Sequence, residues 1–185
     1  MDAVTAAAWR AAQGDALAMA TFVRGTQGDV WRLCSHLVDR DSADDLTQEV
    51  YLRALPALAD FRGDASARTW ILAIARHTCT DELRRRIRGR ALVERIIARS
   101  RPGVAPDPAA ELTLEDLVVH LEPARRAAFV LTQVLGLTYA ETAAVCGCEI
   151  GTVRSRVARA RMDLVAGMAD DAGLADGGGT TDPRR

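Results

Sequence analysis

The sequence contains no lysine; all 24 of its basic residues are arginine. A GC-rich coding sequence produces that bias, and it leaves every cationic cluster built from planar, bidentate donors. Aromatic residues are scarce at 4%, which argues against an aromatic-lined sugar or cofactor site. No run approaches the roughly 18 apolar residues of a membrane span. The N-terminus is acidic and Ala-rich, without the basic start and apolar segment of a signal peptide. The expectation is a reducing cytoplasm and no membrane insertion, with Cys34, Cys79, Cys146 and Cys148 as free thiols. Neither a second Cys pair nor a nearby His completes a zinc set around Cys146-Gly147-Cys148, so no metal or cofactor is expected. There is no His pair on one helix face, no Gly-rich phosphate loop and no nucleophile motif, so an enzyme reading has almost no support.

What is present is helical patterning. Hydrophobic residues make up 49% of the 185-residue chain, enough for a packed core, and no segment shows convincing strand alternation. The expected class is all-α, two small helical domains joined by a flexible linker. Helices are expected near 4–13, 15–38, from Ser42 to Leu55, and from 67 to 88 or as far as 99. Gly25 and Gly28 mark where the second could break or bend. Ser42 and Asp45 stand at capping-box spacing, Pro56 limits that helix, and 60–67 reads as a loop. Pro102, Gly103, Pro106 and Pro108 mark the one clear interior linker. The expected units are 1–99, a linker at 100–110, a second module at 111–168 and a disordered tail at 169–185. Within the second module, helices are expected near 111–121, 123–135, 138–146 and 149–168.

The second module carries the clearest chemistry. Thr138 and Glu141 form a capping box that opens a short helix. That helix stops at Cys146-Gly147-Cys148, and another begins near Glu149, the pattern of a helix-turn-helix. On the last helix Ile150, Val153, Val157, Ala160 and Leu164 recur at spacings of three and four and define a buried stripe. The opposite face carries Gly151, Thr152, Ser155, Ala158 and Arg159. Arg154 and Arg161 flank one side of it and Arg156 the other. Such a face can read base edges through Ser155 and Arg159 while Arg154 and Arg156 grip edges or phosphates.

The first module holds two more surfaces. Leu46, Val50 and Ala54 form a core stripe with Ala43, which leaves Asp45, Gln48, Glu49, Leu52 and Leu55 together on the other side. Two leucines among acids and amides suit a partner site, and suit packing against a neighbouring helix equally well. Residues 84–101 contain eight Arg and one acid, Glu94, an excess that attracts a phosphate backbone despite the chain's net charge of -1. Phe61 and Trp70 near this run could hold unstacked bases, although each also reads as core, as do Trp9 and Trp31; His77 reads equally as a structural histidine.

Three segments resemble extracytoplasmic-function (ECF) sigma factors of the sigma-70 family. Asp44–Ala54 (DDLTQEVYLRA) is similar to their region 2.2, Phe61–His77 (FRGDASARTWILAIARH) to region 2.3, and Leu135–Arg161 (LGLTYAETAAVCGCEIGTVRSRVARAR) to region 4.2. They occur in family order, and the Cys-Gly-Cys turn and Ala-Arg-His run resemble the actinobacterial sigma-C branch. The resemblance implies promoter-specific transcription initiation with core RNA polymerase, contacted through its clamp coiled coil and flap regions. Asp45, Gln48, Glu49 and Leu52 would dock on the clamp. Phe61, Arg62, Trp70, Arg76 and His77 would recognise and hold the melted −10 element. Thr152, Arg154, Ser155, Arg156 and Arg159 would read the −35 element. Promoter DNA is the implied second partner and an anti-sigma factor a candidate third. His77 stands where the family often has Asn and Glu149 where many members have Pro; no long C-terminal extension is expected. A stand-alone helix-turn-helix regulator, or an adaptor whose Arg face binds an acidic protein, remains open on the residues alone.

Overall fold

A computed structural model describes residues 2–97 and 114–175. The described residues form eight α-helices and no strand: α1 (Ala3–Ala12), α2 (Ala16–Leu37), α3 (Ala43–Ala57), α4 (Ala67–Ile97), α5 (Leu114–His120), α6 (Pro123–Phe129), α7 (Tyr139–Cys146) and α8 (Ile150–Ala175). The expected linker at 100–110 lies outside the described residues, as do residues 98–101 of the Arg run. Of the expected tail, 176–185 also lies outside them. The stretch 169–175 is helical and not the disordered segment expected, because α8 continues to Ala175.

Local chemistry explains most helix starts. Asp2 caps α1, accepting the Thr5 N–H at 2.9 Å, and Asp15 caps α2, accepting from the Leu17 and Ala18 amides. The Thr5 hydroxyl also accepts the Ala67 N–H at 3.0 Å, so the start of α1 orders the start of α4. α2 runs unbroken through Gly25 and Gly28. It lies among α1, α3 and α4 and buries Phe22, Val30, Leu33, Cys34 and Leu37. From α4, Ile71, Leu72, Ala75 and Cys79 face it at helical spacing. Cys34 and Cys79 meet inside this core with their sulfurs 3.6 Å apart.

The expected capping box at Ser42 does not form. Arg86 of α4 donates to the Ser42 hydroxyl at 2.6 Å, while Asp39 accepts the Ser42 N–H at 2.7 Å and pairs with the same guanidinium. A tertiary cation has taken the acceptor that the helix end would have used. Trp9 departs from its expected core position and is 38% exposed, and Leu17 is 74% exposed.

In the second module Glu122 and Pro123 start α6, with the Glu122 carboxylate accepting the Ala124 and Arg125 amides. A π-turn at Val130–Val134 continues it. α6, α7 and α8 enclose Ala128, Ala143, Val153 and Val157. The two modules pack against each other. Leu121, Ala127, Val130, Leu131 and Leu135 belong to the same continuous apolar cluster as Leu33, Leu37 and Ile71. No described helix is long and apolar enough to cross a membrane.

Glu82 links the turns of α4 to one another. It accepts Arg85 Nε at 2.7 Å and Arg86 Nε at 2.6 Å, and these two hydrogen bonds hold its carboxyl below the ordinary value of 4.5. A depressed folded-state pKa contributes stability that is complete above the unfolded value and is lost as pH falls through the folded one. The thermal midpoint should therefore decline as pH drops below about 4.5. Glu82→Gln should flatten part of that decline and lower the midpoint at neutral pH, as read by circular dichroism melts across the acid range.

Candidate nucleic-acid interface

The expected helix-turn-helix is present. The Thr138 hydroxyl accepts the Glu141 N–H at 3.2 Å, and the Glu141 carboxylate accepts the Thr138 N–H at 2.8 Å, closing the capping box. α7 ends at Gly147, whose φ of 63° is left-handed and favours a residue without Cβ. The Cys148 N–H then returns to the Ala143 carbonyl at 3.1 Å, setting the angle at which α8 departs.

On α8, Val153, Val157, Ala160 and Leu164 are buried, whereas Ile150, expected in the same stripe, is 41% exposed. It is the first residue of α8, at the open end of that stripe. Arg154, Ser155 and Arg159 are exposed and Thr152 is half-buried. Neither Arg154 nor Arg159 forms an ion pair among the described residues. Arg161 is committed to Gln133 Oε1 at 2.8 Å. Arg156 turns away from this face, toward the first module, and donates to Cys148 Sγ at 3.6 Å.

The second surface is the loop before α4. Phe61 packs edge-on between Trp9 and Trp70, with ring centroids 5.8 and 5.4 Å away. It is only 5% exposed, so most of its ring supports the loop from beneath, as the core reading expected, while it still contributes to the lining of the adjoining cavity. Gly63 has φ +74°, and a Cβ there would lie 2.9 Å from Trp9 Cζ2, so the Trp9 ring and the loop backbone require each other. Together they border an open cavity of ≈ 860 Å³ that includes half-buried Trp70, with Ala144 of α7 on its rim. Arg62 is exposed and pairs loosely with Asp64 at 3.2 Å. His77 is exposed. Arg76 is not free: its Nε donates to the Val145 carbonyl at 3.0 Å, across to α7.

The third surface is α3. Leu52 is 69% exposed and Leu55 36%, which favours the partner-site reading over internal packing. Asp45 and Gln48 are exposed beside Leu52, and half-buried Glu49 is held by Arg53 at 2.7 Å.

Two arginines that sequence reasoning passed over join the modules. Arg68 pairs with Asp29 at 2.5 Å and donates to the Leu135 carbonyl at 2.7 Å. Arg126 is buried without a carboxylate, donating to the Leu37, Val119 and Leu121 carbonyls. Burial pushes its pKa down. Stripping water from such an ion costs several kcal/mol, and hydrogen bonds to a charged group return about 1.5–3 kcal/mol each, so three carbonyls suffice to hold it inside. The signal for Arg126 lay in its spacing: it precedes Phe129 and Val130 by three and four residues, within the apolar stripe of α6, whereas Arg125 points outward to Asp163 at 2.7 Å.

Among the described residues no group of three or more His, Cys, Asp and Glu is placed to hold a metal ion. Burial raises the Cys146 thiol pKa, which keeps it protonated.

Comparison with known proteins accounts for the arrangement. Residues 22–89 match the family model for Sigma-70 region 2 and residues 111–164 that for Sigma-70, region 4. The chain is 47% identical over 176 residues to the ECF RNA polymerase sigma factor SigC of Mycobacterium tuberculosis, covering 92% of this chain and 94% of that protein. It is 33% identical to the ECF RNA polymerase sigma-E factor of Escherichia coli K12, covering 82% and 87%. Its fold superimposes on CnrH, solved in complex with the cytosolic domain of CnrY, with a TM-score of 0.70 and 26% identity, covering 92% of this chain and 99% of that one. Two sigma modules in family order, with relatedness spanning nearly the whole length, place this chain among the extracytoplasmic-function sigma factors of RNA polymerase, on the sigma-C-like branch.

Proposed function

We propose that this sigma factor divides promoter recognition between its two modules and must part them to act. It directs transcription initiation by binding core RNA polymerase and promoter DNA; the polymerase performs the chemistry, and the subunit itself is not an enzyme. Its place of work is the cytoplasm, with polymerase and DNA. In this reading α8 enters the major groove of the −35 element. Arg159 and Arg154 supply bidentate or phosphate contacts, Ser155 and Thr152 hydrogen-bond base edges or backbone, and Ile150 offers an apolar contact to a thymine methyl. The observation that carries it is the outward face of α8, where Arg154, Ser155 and Arg159 stand exposed together and neither arginine has a carboxylate partner among the described residues.

The cavity over Phe61, Trp70 and the Gly63 loop is the site for an unstacked −10 base, with Arg62 and His77 at its approaches and Phe61 as a buried prop. Arg76 and Arg156 would join the DNA contacts only after the seam opens, because Arg76 is held by Val145 and Arg156 is directed into the interface. Ala144 on the cavity rim imposes the same requirement. Asp45, Gln48, Glu49 and Leu52 form the face for the polymerase clamp, and the second module is the part available to the flap. The division at residues 1–99 and 111–168 is part of this proposal, as is an anti-sigma protein able to mask these faces.

Arg159→Ala should lower −35-dependent transcription by roughly 5- to 150-fold, the range set by losing one base contact of about 1–3 kcal/mol. Binding to core polymerase should be unchanged; a variant with normal promoter selectivity would remove Arg159 from the reading face. Leu52→Glu should weaken association with core polymerase by roughly 30-fold, as for an interface anchor of about 2 kcal/mol. Its melting midpoint should stay near that of the parent; collapse of the first module would show that Leu52 is structural. Reconstitution with core polymerase and mapping of transcript starts tests the reading as a whole.

A further inference from the structure

A cavity of ≈ 230 Å³ lies in the seam between the modules, and its walls bring together Arg76 of α4, Arg126 of α6 and Arg156 of α8. Glu122 is the one acid among its lining residues, and both of its carboxylate oxygens already accept backbone amides, at 3.1 Å each. None of the three guanidiniums forms an ion pair with any described carboxylate. Their hydrogen bonding is incomplete. Arg126 Nε is buried with no acceptor at all. Arg156 has only the Cys148 thiol sulfur, a weak acceptor. Arg76 has the Val145 carbonyl and a 3.4 Å contact to His77 Nε2. Each guanidinium carries five N–H donors in a fixed fork that matches the oxygens of a phosphate-type anion. The volume falls below the ~300–1,000 Å³ of pockets for drug-sized ligands, which selects a small ion over a nucleotide.

We propose that this seam is a binding site for a small free oxyanion of the phosphate type, inorganic phosphate or pyrophosphate. The anion satisfies the uncompensated arginines and clamps the closed arrangement of the two modules, to which all three arginines contribute only when the modules are together. Binding by the free chain stands apart from the sigma reading. The consequence that the anion competes with promoter DNA for Arg76 and Arg156 rests on that reading.

The test is calorimetric titration of the full chain with sodium pyrophosphate at constant ionic strength, with chloride as reference, alongside thermal melts. The expected result is saturable one-to-one binding and a midpoint that rises with pyrophosphate beyond any change in chloride. Arg156→Gln and Arg76→Gln should each weaken binding at least tenfold. Arg85→Gln, whose side chain pairs with Glu82 outside the cavity, should bind as the parent does. Absence of saturable binding would overturn the proposal. So would equal binding by the parent, Arg156→Gln and Arg76→Gln, with circular dichroism showing that the variants are folded. Since no polymerase or DNA is present, neither result depends on whether the promoter assignments hold.

Discussion

The guanidinium of Arg126 sits where three helices of this protein come together. It reaches from α6 to the carbonyl at the end of α2 and to two carbonyls around the end of α5. Helix ends leave carbonyls without intrahelical partners, and here a fixed cation gathers them. The joint brings α6 against Leu37 and so makes the apolar core continuous from one module into the other. Arg68 and Arg76 reinforce the seam from α4 by donating to Leu135 and Val145. All three contacts use a charged donor and a neutral acceptor. Such contacts hold a defined geometry without neutralising the charge; Arg68 is also paired with Asp29, so the uncompensated charge among the three belongs to Arg76 and Arg126.

The same arithmetic distinguishes the arginines elsewhere. Arg53, Arg85, Arg86 and Arg125 each have a carboxylate within 3.2 Å. Exposed pairs of this kind contribute little to stability, but they remove those cations from competition for a polyanion. Arg154 and Arg159 keep their charge uncompensated on one helix face. A chain with a net charge of -1 thereby presents a local positive field where α8 is exposed. Closure of the modules leaves that face open while it occupies Arg76 and places Ala144 at the rim of the aromatic cavity. The two proposed DNA surfaces therefore differ in availability: the duplex-reading helix is ready, and the single-strand site waits for separation.

The aromatic cluster shows how a loop can be rigid without secondary structure. Phe61 lies beneath, Trp9 and Trp70 stand at its edges, and Gly63 lets the backbone pass within contact distance of Trp9. A buried ring fixes the loop, and the exposed edges of its neighbours are what a ligand would meet. Trp9, from a helix outside the three recognised segments, is the part that motif reading assigned to the core.

Local chemistry was legible in the chain itself. Apolar spacing marked the helices, Thr138 and Glu141 closed their capping box as residues three apart can do unaided, and the Gly147 turn followed from a backbone angle that favours glycine. The outward set of Arg154, Ser155 and Arg159 followed from helical geometry, since a period of 3.6 residues assigns opposite faces without reference to anything else. Distance along the chain marks where that legibility ended. Ser42 lost its cap to Arg86, 44 residues away; Arg76 met Val145, 69 residues away; Arg126 met Leu37 across 89. Each of these side chains could have satisfied its hydrogen bonds locally or in water, and periodicity assigns no partner to a long flexible cation. The packing of α4 on α3 decided the partner of Arg86, and the packing of one module on the other decided those of Arg76 and Arg126.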